Sequence, residues 1–233
     1  MSPANVKYVL EHNNLSSTCV VEENPNSIKI RKNKILKDRR LLQNYGISDD
    51  KCVFVFGGNL GKPQGIQSFM SVLKNINIAN AFFLFVGGGT EANYVKKYIA
   101  ENHLQNVKYI QTLPKDEYEQ ICESADVGLI LLDGRYTIPN FPSRLLSYCE
   151  NRLPILSYTD PNTDVGDVVE EVGCGIKVVR DNHDGFVAAV KKLADNKQLR
   201  DEMGNNAFKL LQDRYTVSSS YKIIMQHFES GAE

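Results

Sequence analysis

The feature that most constrains this chain is a repeated unit, in which a short, continuous apolar run ends in glycines and is followed by a stretch of helical period. CVFVFGG (52–58) is apolar at every position before its glycines, which predicts a strand buried on both faces rather than a half-exposed one. IQSFMSVLKNI (66–76) then reads as a helix. FFLFVGGG (82–89) and EANYVKKYIAENH (91–103) repeat the design. Further along, VKYIQTL (107–113), DVGLILLD (126–133), LPILSY (153–158) and GIKVV (175–179) read as strands. KDEYEQICESA (115–125), SRLLSYCEN (143–151) and DVVEEVG (167–173) read as the helices between them, and two or three helices over about 184–195, 197–213 and 216–229 close the chain. Strand–helix units with buried strands imply an α/β fold built on a doubly wound parallel sheet. Such sheets bind ligands at the carboxyl ends of their strands, where the glycine clusters fall. That locates a site without naming its chemistry.

Composition narrows the classes. The formal net charge is -1, so no global field draws the chain to nucleic acid, and none is expected as a partner. No apolar run approaches the ~20 residues that span a bilayer. The opening MSPANVKYVLEHNN lacks the apolar centre of a signal peptide. Five scattered cysteines show no CxxC pairing, and the four histidines lie far apart, so neither a disulfide framework nor a metal site is expected. These readings predict a cytoplasmic, metal-free protein.

Residues 1–50 depart from the repeat. Ser2 and Pro3 suit the N-cap and first position of a helix, and VVEENPNSI (20–28) reads as a strand and then a turn. KIRKNKILKDRR (29–40) carries seven basic residues and one acid. A solvated helix face is the plainer reading of that run, and a patch for anionic lipid at the inner face of the membrane, or for a partner, is the sharper one.

Three motifs carry chemistry. GGNLGKPQG (57–65) joins a buried strand to a helix, so its backbone, including Gly58, Asn59 and Gly61, can approach a ligand closely. Lys62 and Gln64 can add donors to phosphate oxygens. The spacing is neither GxGxxG nor a P-loop, and a tight turn without a ligand explains the same residues. Gly88, within the triple glycine 87–89, suggests a loop that admits something bulky, or a flexible connection. The third motif, RYTIPNFPSRLLSYCEN (135–151), places Asn140 and Pro142 before a helix whose polar face carries Ser143, Arg144, Ser147, Glu150 and Asn151. An arginine in a first turn opposes the macrodipole unless an anion sits there too. A snorkelled surface arginine is the competing reading. Leu113 and Pro114, with Tyr118, form a candidate base pocket at another strand end, or a plain turn.

From about residue 50 onward these motifs, in this order, resemble the C-terminal domain of GT-B glycosyltransferases of the large retaining family 4. The closest likeness is to a bacterial branch that builds capsular and other surface polysaccharides. The segments that carry it are GGNLGKPQG, FVGGG, LPKDEYEQICESADVGLILLD, IPNFPSRLLSYCENRLPIL and NTDVGDVVEEVGCGIKV. The resemblance implies a Rossmann-like half of a GT-B fold with C-terminal helices. Residues 51–233 would be its nucleotide-sugar-binding domain, and 1–50 the hinge segment that leaves an N-terminal domain. It also implies a UDP- or GDP-linked sugar donor, no cofactor beyond that substrate, and a glycan or lipid-linked glycan acceptor.

The chain departs from the family pattern at several positions. Where relatives place an Arg and a Lys on the diphosphate, this chain has Asn59 and Gln64, which moves the expected cationic work to Lys62 and Arg144. Where relatives carry two glutamates eight apart, it has Pro139 and Ser147, and Glu150 is the implied substitute on the ribose. A GT-B enzyme also needs an acceptor-binding domain of roughly 150 residues or more. The resemblance thus implies that this chain is the donor half of a longer enzyme, silent or nearly so alone. The alternatives are a non-catalytic nucleotide-sugar-binding subunit of a split glycosyltransferase, and a sugar-nucleotide epimerase, for which no paired carboxylates stand out. No general base is assigned.

Overall fold

The computed structural model describes residues 2–31 and 37–229. Six strands, β1 (Cys52–Asn59), β2 (Ala81–Gly88), β3 (Val107–Ile110), β4 (Val127–Leu131), β5 (Ile155–Thr159) and β6 (Gly175–Val179), form one parallel sheet in the order β3-β2-β1-β4-β5-β6. This is the expected α/β, doubly wound arrangement, and the strand order reverses direction between β1 and β4. That crevice is where such sheets bind ligands.

Burial on both faces explains the continuous apolar runs. Val53 and Val55 enter one core with Leu84, Ile130 and Tyr148. Phe54 and Phe56 enter the other with Phe83, Phe85 and Phe69. Across β1 and β2 the rings pair in register, Phe54 with Phe83 at 5.2 Å and Phe56 with Phe85 at 5.9 Å between centroids. Buried aromatic pairs of this kind contribute about 1 kcal/mol each beyond their area.

The helices follow in chain order as α1 (Pro3–His12), α2 (Arg40–Asn44), α3 (Ile66–Lys74), α4 (Ala92–Glu101), α5 (Lys115–Ser124), α6 (Arg144–Glu150), α7 (Val165–Glu171), α8 (His183–Asp195), α9 (Lys197–Arg214) and α10 (Val217–Glu229). Ser2 caps α1 in a reciprocal capping box with Asn5. The Ala4 N–H donates to Asp164 at 2.8 Å, and the Asn5 amide to the Pro139 carbonyl at 2.7 Å, so α1 rests beside the approach to α6.

Three expectations about local structure change. Residues 20–28 form no strand: Ile28 pairs only with the α9–α10 junction, its N–H bonding the Tyr215 carbonyl at 3.0 Å. Both edges of the sheet lie elsewhere, so that segment has no strand to join. The strand expected over 107–113 stops at Ile110, where its pairing with β2 ends at Val86. The basic run 29–40 is not a helix over its described residues, since α2 begins at Arg40, and 32–36 lie outside the described residues. Nor is it simply solvated. Arg31 donates to Glu123 at 2.7 Å, Glu150 at 3.0 Å and Asn151 at 2.8 Å. Glu119 lies 3.6 Å from the same guanidinium.

Candidate nucleotide-sugar site

The carboxyl ends of β1 and β2, the segment after β3 and the start of α6 enclose an open cavity of about 880 Å³. Its dimensions suit a ligand of nucleotide size. The β1 end forms its floor. A Cβ on Gly57 would lie 2.0 Å from the Tyr118 hydroxyl, so a side chain there would displace that ring. Gly58 has φ +111°, a backbone state that L side chains rarely adopt. The glycines thus let two rings and an arginine close over bare backbone.

Arg144 opens α6 and leans across the end of β1. Its Cζ lies 4.1 Å from the Phe56 ring centroid, a cation–π contact. One turn later Tyr148 fixes the helix to β1, donating to the Val55 carbonyl at 3.1 Å and accepting from the Gly57 N–H at 3.3 Å. Burial lowers the Arg144 pKa from its ordinary value, and Tyr148 and Tyr118 partly raise it back. A guanidinium starts so far above neutrality that it stays charged. Its Nη1 is buried without a hydrogen-bond partner, as is the Tyr118 hydroxyl beside Gly57. An unpaired buried charge is costly, and an anion in the cavity removes that cost.

Of the residues expected from sequence, Gly58, Asn59, Gly88, Leu113, Ser143, Arg144 and Ser147 line this cavity together. The others do not. Gly61 is buried, and its N–H is held by the Gln64 Oε1 at 3.2 Å, so Gln64 folds back onto its own loop instead of reaching outward. The cause is the 3₁₀ turn Lys62–Gln64, which leaves Lys62 exposed and away from the cavity. Pro114 caps α5, and Asn140 is tied through its N–H to Thr163 at 3.2 Å. Pro142 precedes the N-cap Ser143, so α6 begins two residues later than the proline suggests. Glu150 is not free for a ribose, since both its oxygens accept from Arg31, from the backbone N–H at 2.7 Å and from Nε at 3.0 Å.

Sequence reasoning missed Lys115. It begins α5 directly after the Leu113–Pro114 turn and lines the cavity with Arg144. The logic that singled out Arg144, a cation opening a helix at a strand's carboxyl end, applied equally to Lys115. Among the described residues, the cations facing the cavity are thus Arg144 and Lys115, not Arg144 and Lys62. Thr112, also missed, follows the end of β3 and carries no sequence signal of its own.

Residues 37–210, well over half of the chain, match the sequence profile described as Glycosyl transferases group 1. The chain belongs to that family. It is 29% identical over 125 residues to the probable glycosyltransferase WbjE of Pseudomonas aeruginosa, a match covering 54% of this chain and 31% of that protein. Its fold is similar to that of S. aureus TarM, in a structure with fondaparinux, α-GlcNAc-glycerol and UDP. That superposition has a TM-score of 0.77 at 14% identity and covers 97% of this chain and 42% of TarM. Sucrose-phosphate synthase from Thermosynechococcus elongatus gives a TM-score of 0.75 at 15% identity, over 98% of this chain and 56% of that one. Anabaena HepE in complex with UDP gives 0.68 at 16% identity, over 82% and 52%. The chain therefore spans about a third to a half of these relatives. Among its described residues no helix is long and apolar enough to cross a membrane.

Proposed function

We propose that this chain supplies the donor-binding half of a retaining glycosyltransferase. It would hold a UDP- or GDP-linked sugar by its diphosphate, for transfer to a glycan or lipid-linked glycan in surface polysaccharide synthesis. The observation that carries this reading is the buried, unpartnered Nη1 of Arg144 at the rim of a nucleotide-sized cavity. Family membership supplies the reaction class, and the UDP bound in TarM and HepE supports the donor chemistry.

In this reading the diphosphate lies over the Gly58–Asn59 backbone, between Arg144 and Lys115. As the glycosidic C–O bond breaks, negative charge grows on the departing phosphate, and the two cations stabilise it more than they stabilise the intact donor. That difference accelerates the reaction. The base would stack against Leu113 and Tyr118, and Ser147 would reach the ribose in place of a glutamate. No metal or cofactor is assigned a role. The acceptor domain would come from the remaining length of the whole protein, as the partial coverage of the relatives suggests. The exposed apolar stripe Val217, Tyr221, Ile224 and Phe228 on α10 is the surface to which we assign that contact.

Calorimetric titration with UDP, GDP and their sugars, beside Arg144→Ala, tests the reading. We expect one nucleotide series to bind and Arg144→Ala to abolish the binding. Wild-type binding that survives unchanged in Arg144→Ala would remove this cavity from consideration.

A further inference from the structure

At the opposite, amino-terminal edge of the sheet lies a second cavity, of about 550 Å³, between the start of β1, the residues preceding β4 and β5, and the first turn of α9. Six cations line it: Lys37, Arg39, Lys51, Arg152, Lys197 and Arg200. Four carboxylates line it too, and each is already engaged. Asp126 accepts from Arg39 at 2.6 Å and from the Val53 N–H at 2.9 Å. Asp201 pairs with Lys197 at 2.5 Å, Asp50 with Lys51 at 3.4 Å, and Asp49 accepts from Gln43 at 2.6 Å.

The cations outnumber the carboxylates by two, and three of them have no carboxylate of their own. Arg152 stacks on Phe208, with Cζ 4.0 Å from the ring centroid, and donates to the neutral Asn205 at 2.9 Å. Arg200 donates to the Leu193 and Ala194 carbonyls at 2.6 and 3.1 Å. Neither forms an ion pair among the described residues. Lys37 donates to the Ala125 carbonyl at 3.1 Å and lies 3.8 Å from Asp126 Oδ1, a carboxylate whose Oδ2 already holds Arg39. We propose that Lys37, Arg152 and Arg200 form a second anion site, for a small phosphate or diphosphate ligand, on the face opposite the donor cavity. Two guanidinium groups suit the paired oxygens of a phosphate, and several cations around one recess match a multiply charged anion better than a single carboxylate. The floor of Cys52, Pro154 and Ala194 offers an apolar surface to whatever carries the phosphate.

The test is calorimetric titration of the full 233-residue chain with inorganic pyrophosphate, in the Arg144→Ala background so that the donor cavity does not contribute. We expect binding that weakens as salt rises and falls roughly tenfold in each of Lys37→Gln and Arg152→Gln. Both side chains are exposed, so both variants should keep the wild-type melting temperature within a few degrees. Arg200 is spared because it also caps α8. Anionic phospholipid headgroups carry the same phosphate chemistry, so a second arm measures sedimentation with vesicles containing phosphatidylglycerol. Vesicle binding that depends on Lys37 and Arg152, without pyrophosphate binding, keeps the site and makes its ligand a headgroup. Pyrophosphate affinity unchanged in the Lys37→Gln, Arg152→Gln double variant overturns the site, and so does binding in neither arm.

Discussion

Two arginines serve the same short helix and have opposite surroundings. Arg31 meets α6 at its end, where Glu150, Glu119, Glu123 and Asn151 occupy its guanidinium and Glu150 also takes its backbone N–H. Arg144 stands at the start of the same helix with an aromatic ring beneath it and one nitrogen buried and unpaired. The first arginine is complete within the chain. The second keeps a buried donor that nothing among the described residues uses. Burial alone separates them poorly, because both are partly buried; what separates them is whether the donors are used.

The sharpest way to break this contrast is to replace each arginine by methionine and compare melting. Arg31→Met leaves three carboxylates clustered without their cation, one of them, on Glu150, 8% exposed. Removing one partner of a buried pair costs 3–5 kcal/mol, and the one-third exposure of Arg31 reduces this to about 2–3 kcal/mol of stability. Arg144→Met deletes an unpaired charge and keeps the contact with Phe56. It should leave the ligand-free chain as stable or about 1 kcal/mol more stable, while donor binding is lost. Thermal melts with and without UDP read both signs. A large destabilisation by Arg144→Met would mean that its unpaired nitrogen is not the exposed cost we take it to be.

Lys115→Ala sharpens the account of the cavity. If Lys115 and Arg144 share one diphosphate, removing the lysine should weaken donor binding roughly tenfold, with little change in stability, since the side chain is exposed. Lys62→Ala is the matched control and should change affinity less than twofold. The reverse ranking would return the cationic role to the glycine-rich loop.

The sheet was legible because its strands are buried on both faces, so each apolar run marked itself and the glycines marked the carboxyl ends. Arg144 was legible because a cation opening a helix is locally anomalous. Side-chain direction was not. Gln64 turns inward on a 3₁₀ turn, and Glu150 is captured by Arg31 across a separation of 119 residues. No period or spacing encodes a contact of that range. The seven cations of 29–40 looked alike in sequence, yet Arg31 and Arg39 lock to carboxylates while Lys37 stands 3.8 Å from the one that Arg39 already holds. Charge counts give the sum of such a segment, and only packing divides it.

The smallest expected effect tests whether a third arginine pair, outside both cavities, behaves as an ordinary surface contact. In the loop after β4, Arg135 donates to both oxygens of Asp133 at 2.8 Å. Those hydrogen bonds pull the Asp133 pKa down from 3.8 to about 2. A carboxylate with a depressed folded-state pKa adds stability above its unfolded pKa and loses it as pH falls through the folded one. The contribution should therefore be full above about pH 4 and fade between about pH 4 and 2. Arg135 is 88% exposed, so solvent screening keeps the gain small. Asp133→Asn should lower the melting temperature by at most a few degrees at pH 7 and by less at pH 2. A loss at pH 7 as large as that of Arg31→Met would mean that the loop depends on this pair, and that exposure is a poor guide to which arginines of this chain are structural.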